Sequence, residues 1–387
     1  MNKFDFFNGE VRRFYETPQE FIPLHIPTLG EIEKEYLNRC IDSTFVSSVG
    51  PFVNEVEAYF TSIAKSHFAI ACVNGTAALH LCLLAAGVSR DDIVITQPFS
   101  FVATANAIAY CGATIAFVDI HPRTLSIDPE KLMRFLEADT YQDDYGVTRH
   151  KGSGQVIKAC VVMHTFGMAA HIAELKAICE ARNIILIEDA AEAVGSFLDG
   201  VPLGTFADYS AFSFNGNKTI TAGGGGIVLC RNQEKAQWIK HISTQAKKPH
   251  PYAFFHDEIG YNYRMPNLNA ALLMAQISRL PSILKAKKML ASHYFELFSK
   301  VGLETIPPID GCEPNYWLII ALAESKDDLE HWLKATNDGG IMTRPGWELL
   351  HLLPMYKDSI ISGDLNVSIE IQSRLFNVPS TPPNHWL

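Results

Sequence analysis

FAIACVNGTAALHLCLLAAGVSRDDIVITQPFSFVATANAIAYCGATIAFV, residues 68–118, decides the architecture. Short apolar runs at 68–73, 93–96 and 114–118 alternate with longer stretches at 76–87 and 102–111, the pattern of strands joined by crossover helices in a mostly parallel sheet. The rhythm continues outward: strands at 156–162 and 184–187, helices at 129–136 and 170–182. Runs at 210–214 and 226–229 bracket a glycine-rich turn and predict an antiparallel hairpin. After Gly260 long helices take over, at 267–276 and 283–301, followed by a mixed tail. The reading is α/β throughout, with a large sheet domain over residues 1–259 and a smaller C-terminal α+β domain over 260–387. The polar, turn-rich piece 139–155, DTYQDDYGVTRHKGSGQ, reads as a surface loop.

With 48% hydrophobic and 19% charged residues in 387, the chain can fill a large core. No stretch approaches the roughly 20 uninterrupted apolar residues of a membrane helix, and the start MNKFDFFNGEVRRFYE has no apolar signal region, so a cytoplasmic protein away from the membrane is expected. A net charge of −10 argues against a nucleic-acid partner, which needs a basic surface. The eight cysteines are scattered in apolar runs without zinc-type spacing and read as reduced core residues; the histidines show no HExxH, so no metal site is expected.

Four features carry chemistry. In FSFNGNKTITAGGGG, 212–226, Lys218 lies between an Asn-Gly-Asn turn and four glycines, where it can be held rather than solvated; a lysine amine so held can form a Schiff base with an aldehyde. IILIEDAAEAVG, 184–195, is a strand ending at Asp189, and ligands of open α/β sheets bind at such strand ends. A carboxylate there can pair with a protonated pyridine nitrogen, or else cap the next helix. In CVNGTAALHL, 72–81, a strand ends at Asn74-Gly75-Thr76 and a helix begins, an outline of a phosphate cradle that Ser213 can join from a neighbouring strand end. In QPFSFVATANAI, 97–108, Phe99 and Phe101 follow a strand at the same edge, where an aromatic ring can stack on a flat cofactor or simply fill the core.

These motifs, with GPFVNEVEAYF, FVDIHPRTLSIDP, MHTFG and GYNYRMPNLNAALLMAQ, run in order from Gly50 to Gln276 and resemble the DegT/DnrJ/EryC1/StrS sugar aminotransferases, which have the aspartate aminotransferase (fold type I) fold. The resemblance implies pyridoxal 5'-phosphate as cofactor. It implies Lys218 as Schiff-base lysine and proton shuttle, Asp189 as partner of the pyridine nitrogen, and Phe101 as the stacking ring. Asn74, Gly75, Thr76 and Ser213 would surround the phosphate, and Asn262 would reach the cofactor of a neighbouring subunit, which demands a homodimer. Glu192 stands where many members carry histidine or glutamine facing the cofactor's phenolic oxygen; to donate a hydrogen bond there it has to be protonated.

The combination of EDAAE, SFNGNK and HDEIGYNYRMPNLNAA most resembles the branch that makes diamino sugars toward bacillosamine and legionaminic acid. That branch implies transfer from L-glutamate to C4 of a UDP-linked 2-acetamido-2,6-dideoxy-4-hexulose. Arg344 and His351, in TRPGWELLHLLPMY, are candidates to read the sugar, against a helix that merely buries Trp347 and Leu350. The alternatives are a transaminase acting on a 3-keto, dTDP- or GDP-linked sugar or a keto inositol, and a regulatory protein that binds pyridoxal phosphate without turnover.

Overall fold

The computed structural model describes residues 2–387. Three helices, α1 (Lys3–Tyr15), α2 (Glu31–Asp42) and α3 (Pro51–Ala64), precede the alternation. It then runs β1 (Phe68–Cys72), α4 (Gly75–Ala85), β2 (Asp92–Thr96), α5 (Val102–Tyr110), β3 (Thr114–Val118) and α6 (Pro129–Asp139). Next come β4 (Thr140–Gln142), β5 (Thr148–His150), β6 (Val156–Met163), α7 (Ile172–Ala181) and β7 (Ile185–Asp189). Two very short strands, β8 (Phe197–Leu198) and β9 (Val201–Pro202), lead to β10 (Tyr209–Ser213), β11 (Gly226–Cys230), α8 (Gln233–Ser243) and α9 (Asn267–Val301). The remainder comprises β12 (Cys312–Glu313), β13 (Ile319–Leu322), α10 (Lys326–Asp338), β14 (Arg344–Pro345), β15 (Ile360–Ser362), α11 (Asn366–Arg374) and β16 (Leu375–Val378).

The main path of the large sheet has the order β1-β11-β10-β7-β6-β2-β3-β15 and is parallel except where β11 pairs antiparallel with β1 and β10; β4 and β5 attach to β6 off this path. Its central strands are buried on both faces, which is why they read as unbroken apolar runs. Phe52, Val56 and Phe60 of α3, Phe135 of α6, Leu175 of α7 and Leu273 of α9 cover one face. Leu79 and Leu83 of α4, Ile108 of α5 and Ile239 of α8 cover the other. With β1, β10, β7, β6 and β2 all pointing the same way, their carboxyl ends share one edge of the sheet.

A second, antiparallel sheet, β13-β16-β14, packs with α10, the later half of α9 and α1 around Phe7, Tyr294, Phe298, Trp332 and Phe376. Packing therefore exchanges elements across residue 260: α1 joins the smaller unit, and β15 lies beside β3 in the large sheet. Among the described residues no helix is long and apolar enough to cross a membrane, and all eight cysteines are free.

Two expectations are corrected. Residues 139–155 are not a loop: β4 and β5 form a hairpin, and Arg149 of β5 pairs with Val156 of β6. Asp143 builds its turn by accepting from the N–H of Tyr145 and Val147, both at 3.0 Å, and from Arg149 Nε at 2.8 Å. These strands are short and largely solvated, so they carry no apolar period. The helices expected at 267–276 and 283–301 are one helix running through Pro281, which faces solvent while Leu280 and Ile283 nearby are buried and hold the segment in line.

Alternation along β7 sends Glu188 and Asp189 to opposite faces. Glu188 is fully buried and accepts from the N–H of Gly204, Phe206 and Ala207, at 2.8, 2.8 and 2.7 Å, and from Nε2 of His164 at 2.9 Å. Burial pushes its pKa up, but the His164 bond and these N–H groups prevail and hold it below the ordinary value. Glu188→Ala strips three buried N–H groups of their acceptor and is expected to destabilise the protein by about 3 kcal/mol or more, read from urea unfolding at neutral pH. A depressed folded-state pKa gives stability that is present above the unfolded pKa and lost as pH falls through the folded one. The deficit of the variant therefore shrinks in acid.

Candidate active site

The connection between β10 and β11 folds back on itself: Phe214 N–H bonds the Gly225 carbonyl at 2.9 Å, Ala222 N–H bonds the Phe214 carbonyl at 2.8 Å, and Lys218 N–H bonds the Asn215 carbonyl at 3.0 Å. The glycine run admits this fold, since a Cβ on Gly226 would lie 2.5 Å from the Asn74 carbonyl oxygen. The Lys218 side chain is only 12% exposed. Its Nζ sits 3.3 Å from Glu192 Oε1 and 3.9 Å from the centroid of the Trp317 ring.

Asp189 ends β7 and is buried, accepting from Thr104 Oγ1 at 2.7 Å and from the N–H of Ala191 at 3.2 Å. Desolvation raises its pKa against the Thr104 bond. A buried carboxylate with two neutral donors and, among the described residues, no cation in contact suits a protonated ring nitrogen. Glu192 is also buried. Its Oε2 accepts from the N–H of Phe166 at 2.9 Å, and desolvation raises its pKa to about 7 although the Lys218 charge opposes.

At the start of α4, Asn74 Oδ1 accepts from Ala77 N–H at 2.8 Å, so the side chain of Asn74 is spent as the helix cap. The N–H groups of Gly75 and Thr76 open the same helix. A Cβ on Gly75 would lie 2.7 Å from that of Ser213, so the turn and the end of β10 touch, and the missing Cβ keeps the corner open. Phe101, half exposed, precedes α5, whose Thr104 holds Asp189. Phe99, by contrast, is core. The residues at the carboxyl edge thus fit pyridoxal phosphate from end to end: a carboxylate for the ring nitrogen, a lysine for the aldehyde, and a turn with a hydroxyl for the phosphate.

Three expected residues lie apart. Asn262 is exposed, in the segment whose Tyr263 carbonyl accepts from Val73 N–H at 2.8 Å, and its side chain bonds nothing among the described residues. Arg344 is exposed on β14. His351 packs on Phe117 with its Nδ1 buried and unbonded. From that run it is Trp347 that meets the site, its ring 4.8 Å from Phe166 and 6.4 Å from Phe101.

Sequence reasoning missed the supports. Thr104 lies in a helical pattern and Trp317 borders an apolar run, both of which serve equally for core, while Phe166 and Asn315 lie in short irregular turns with no chemical signature of their own. Phe166 adopts φ 56°, a left-handed conformation uncommon for its type, which aims its N–H at Glu192. Asn315 Nδ2 donates to the carbonyls of Glu192 and Val194 at 2.8 and 2.9 Å and to Thr219 Oγ1 at 3.1 Å, tying the Glu192 turn to the Lys218 loop. Trp317 Nε1 donates to the Asn217 carbonyl at 2.6 Å. Its own carbonyl is held, at 3.3 Å, by Lys287, a buried amine that desolvation lowers to about 7.

Residues 27–384 match the DegT/DnrJ/EryC1/StrS aminotransferase family. The chain is 35% identical to a GDP-perosamine synthase of Vibrio cholerae over 93% of its length and 94% of that protein. It is 32% identical to a second, from Escherichia coli O157:H7, over 94% of each. The structure superposes with a TM-score of 0.81 on a DegT DnrJ EryC1 StrS aminotransferase from Brucella abortus, at 26% identity over 91% of each chain.

Because the folded-state pKa of Glu192 is raised, its contribution to stability is full below the unfolded pKa and is lost as pH rises through about 7. In cofactor-free protein Glu192→Gln removes this loss. The stability of the variant relative to the parent is expected to rise between pH 5 and pH 8, by up to about 3 kcal/mol, as measured by thermal unfolding across that range.

Proposed function

The chain belongs to the DegT/DnrJ/EryC1/StrS aminotransferase family and is a pyridoxal-phosphate-dependent aminotransferase, and from that premise we propose that it transfers an amino group from L-glutamate to the keto carbon, C4, of a nucleotide-linked 6-deoxy sugar, with Lys218 as the Schiff-base lysine. The observation that carries this reading is the Lys218 amine enclosed with the buried carboxylates of Glu192 and Asp189 at the carboxyl edge of the sheet. We favour GDP as the nucleotide, because two relatives matched over nearly their whole length carry the name GDP-perosamine synthase. This displaces the UDP-linked 2-acetamido sugar of the bacillosamine and legionaminic acid pathways, which remains the second reading on the HDEIGYNYRMPNLNAA run.

When bound, the cofactor supplies an electron-withdrawing ring that makes a neighbouring C–H bond acidic. Asp189 would bind the protonated ring nitrogen, which would offset its own buried charge. Lys218 Nζ would take the proton from the α-carbon of the donor and pass it to the cofactor, and in the second half of the cycle would carry a proton back from the cofactor to the sugar carbon. Glu192 would hold a proton for the phenolic oxygen, Phe101 would cover the ring, and Gly75, Thr76 and Ser213 would hold the phosphate. Asn262, exposed and unbonded within its own chain, completes the site of a second copy.

The test is spectroscopic. The visible band of the cofactor-loaded protein is expected to bleach with L-glutamate and to return with a GDP-linked 4-keto-6-deoxy sugar; Lys218→Ala should cycle at least about a thousandfold more slowly. Return with the UDP-linked sugar alone would overturn the choice of nucleotide, and a band indifferent to amino donors would leave a regulatory protein. For the shared site, Lys218→Ala and Asn262→Ala chains, each impaired alone, are expected to regain activity when unfolded and refolded together, since one site of the mixed dimer is then intact. No regain would exclude sharing through Asn262.

A further inference from the structure

Behind the Lys218 loop lies a second buried amine. Lys287 of α9 is 1% exposed, and its Nζ has three partners: the Ser380 carbonyl at 2.7 Å, Nε2 of His25 at 3.1 Å and the Trp317 carbonyl at 3.3 Å. Three acceptors are the full complement of an ammonium group. None of them is a carboxylate. Burial therefore lowers the pKa of Lys287 without opposition, and burial together with the Lys287 charge holds His25 well below its ordinary value, so that its ring is neutral and can accept. An apolar side chain of the same length would fill this space without the desolvation cost.

Two of the three partners lead to Lys218. Trp317 donates its indole N–H to the Asn217 carbonyl at 2.6 Å and its main-chain N–H to Asn315 Oδ1 at 2.8 Å, and it lays its ring 3.9 Å from Lys218 Nζ. His25 makes no hydrogen bond through Nδ1, yet it lies within reach of the Asn217 carbonyl and of the Lys218 charge, which act on its ring in opposite senses. Asn217 and Lys218 are neighbours in the turn that the Lys218 N–H closes onto the Asn215 carbonyl. Both partners thus bear on the one turn that carries the lysine.

We propose that Lys287 is a positioning residue for Lys218: it fixes the Trp317 backbone and the His25 ring, and these fix the turn at Asn217 and the aromatic face against which the Lys218 amine is aimed. The inference rests on the role of Lys218 proposed above. Lys287, shut inside the protein, touches neither cofactor nor substrate. It acts through Trp317, whose ring restricts the directions open to the Lys218 side chain, and a proton carrier held in one direction loses less to misalignment.

The experiment compares the cofactor-loaded parent with Lys287→Met, which keeps the length and removes the donors, with Trp317→Phe, which keeps an aromatic ring and removes the indole N–H, and with the double variant. Stopped-flow bleaching over a range of L-glutamate concentrations, well below the unfolding temperature of each protein, gives a limiting rate and a half-saturating concentration. The rate at which each cofactor-free protein forms the visible band with added pyridoxal phosphate reads the aim of Lys218 without turnover. Each single variant is expected to lower the limiting rate by about tenfold or more, to leave the half-saturating glutamate within about twofold, and to slow band formation. The double variant should be no slower than the slower single one, because both changes break the same chain of contacts. The proposal is overturned if Lys287→Met bleaches at the parent's limiting rate, if its loss lies in the half-saturating concentration instead, or if the two losses multiply in the double variant. Should Lys287→Met not fold, Trp317→Phe decides alone, and a parental limiting rate there overturns the proposal. A Lys218→Ala protein that still cycles would instead remove the reading on which the proposal rests.

Discussion

Two buried carboxylates, Asp189 and Glu192, stand with the largely enclosed amine of Lys218 at one corner of the molecule. Such a grouping is unfavourable in isolation, because the desolvation of each charge costs more than a single pairing returns. The rest of the structure holds it in place. The parallel strands bring Asp189 and Ser213 to the same edge, α5 supplies the Thr104 hydroxyl, and the left-handed Phe166 supplies an N–H. Burial raises the pKa of both carboxylates, and the bonds and the Lys218 charge that oppose it do not fully offset it. A cofactor with a cationic ring nitrogen and a phenolic oxygen would answer the deficits at Asp189 and Glu192 respectively, so its binding would stabilise the fold.

The sheet and its active-site loop were legible because their causes are local. Buried parallel strands have to be apolar at successive positions, and a lysine among glycines has few structural uses, so 68–118 and 212–226 could be read directly. The β4–β5 hairpin was not legible, since its strands owe their shape to Asp143 and to an edge of the sheet rather than to a buried face. The unbroken α9 defeats a local rule: proline removes one bond from the helix, while burial on both flanks retains it.

The supports of the site were hidden for a different reason. Asn315 and Trp317 act through contacts about a hundred residues away in sequence, |i−j| being 96 for Asn315 with Thr219 and 100 for Trp317 with Asn217. Nothing in the immediate surroundings of either residue marks it. Trp317 lies beside a buried strand, so its indole reads as core, and in part it is core. The smaller unit thereby shapes the site without presenting an acid or a base to it: it offers an amide, an aromatic face and the Lys287 strut behind them.

The placement of α1 bears on how the chain is made. Its Tyr15 hydroxyl bonds the carbonyl of Thr381, 366 residues further on, and its Phe7 rests on Trp332 and Phe298. At ribosomal speeds of about 5–20 residues per second, the first helix waits roughly 20 seconds or more for the floor on which it packs. During that interval Phe4, Phe6, Phe7 and Phe14 have no partner to bury them. An amphipathic helix that is made early and docks late keeps its apolar face exposed for that interval, which raises the hazard of association between nascent chains.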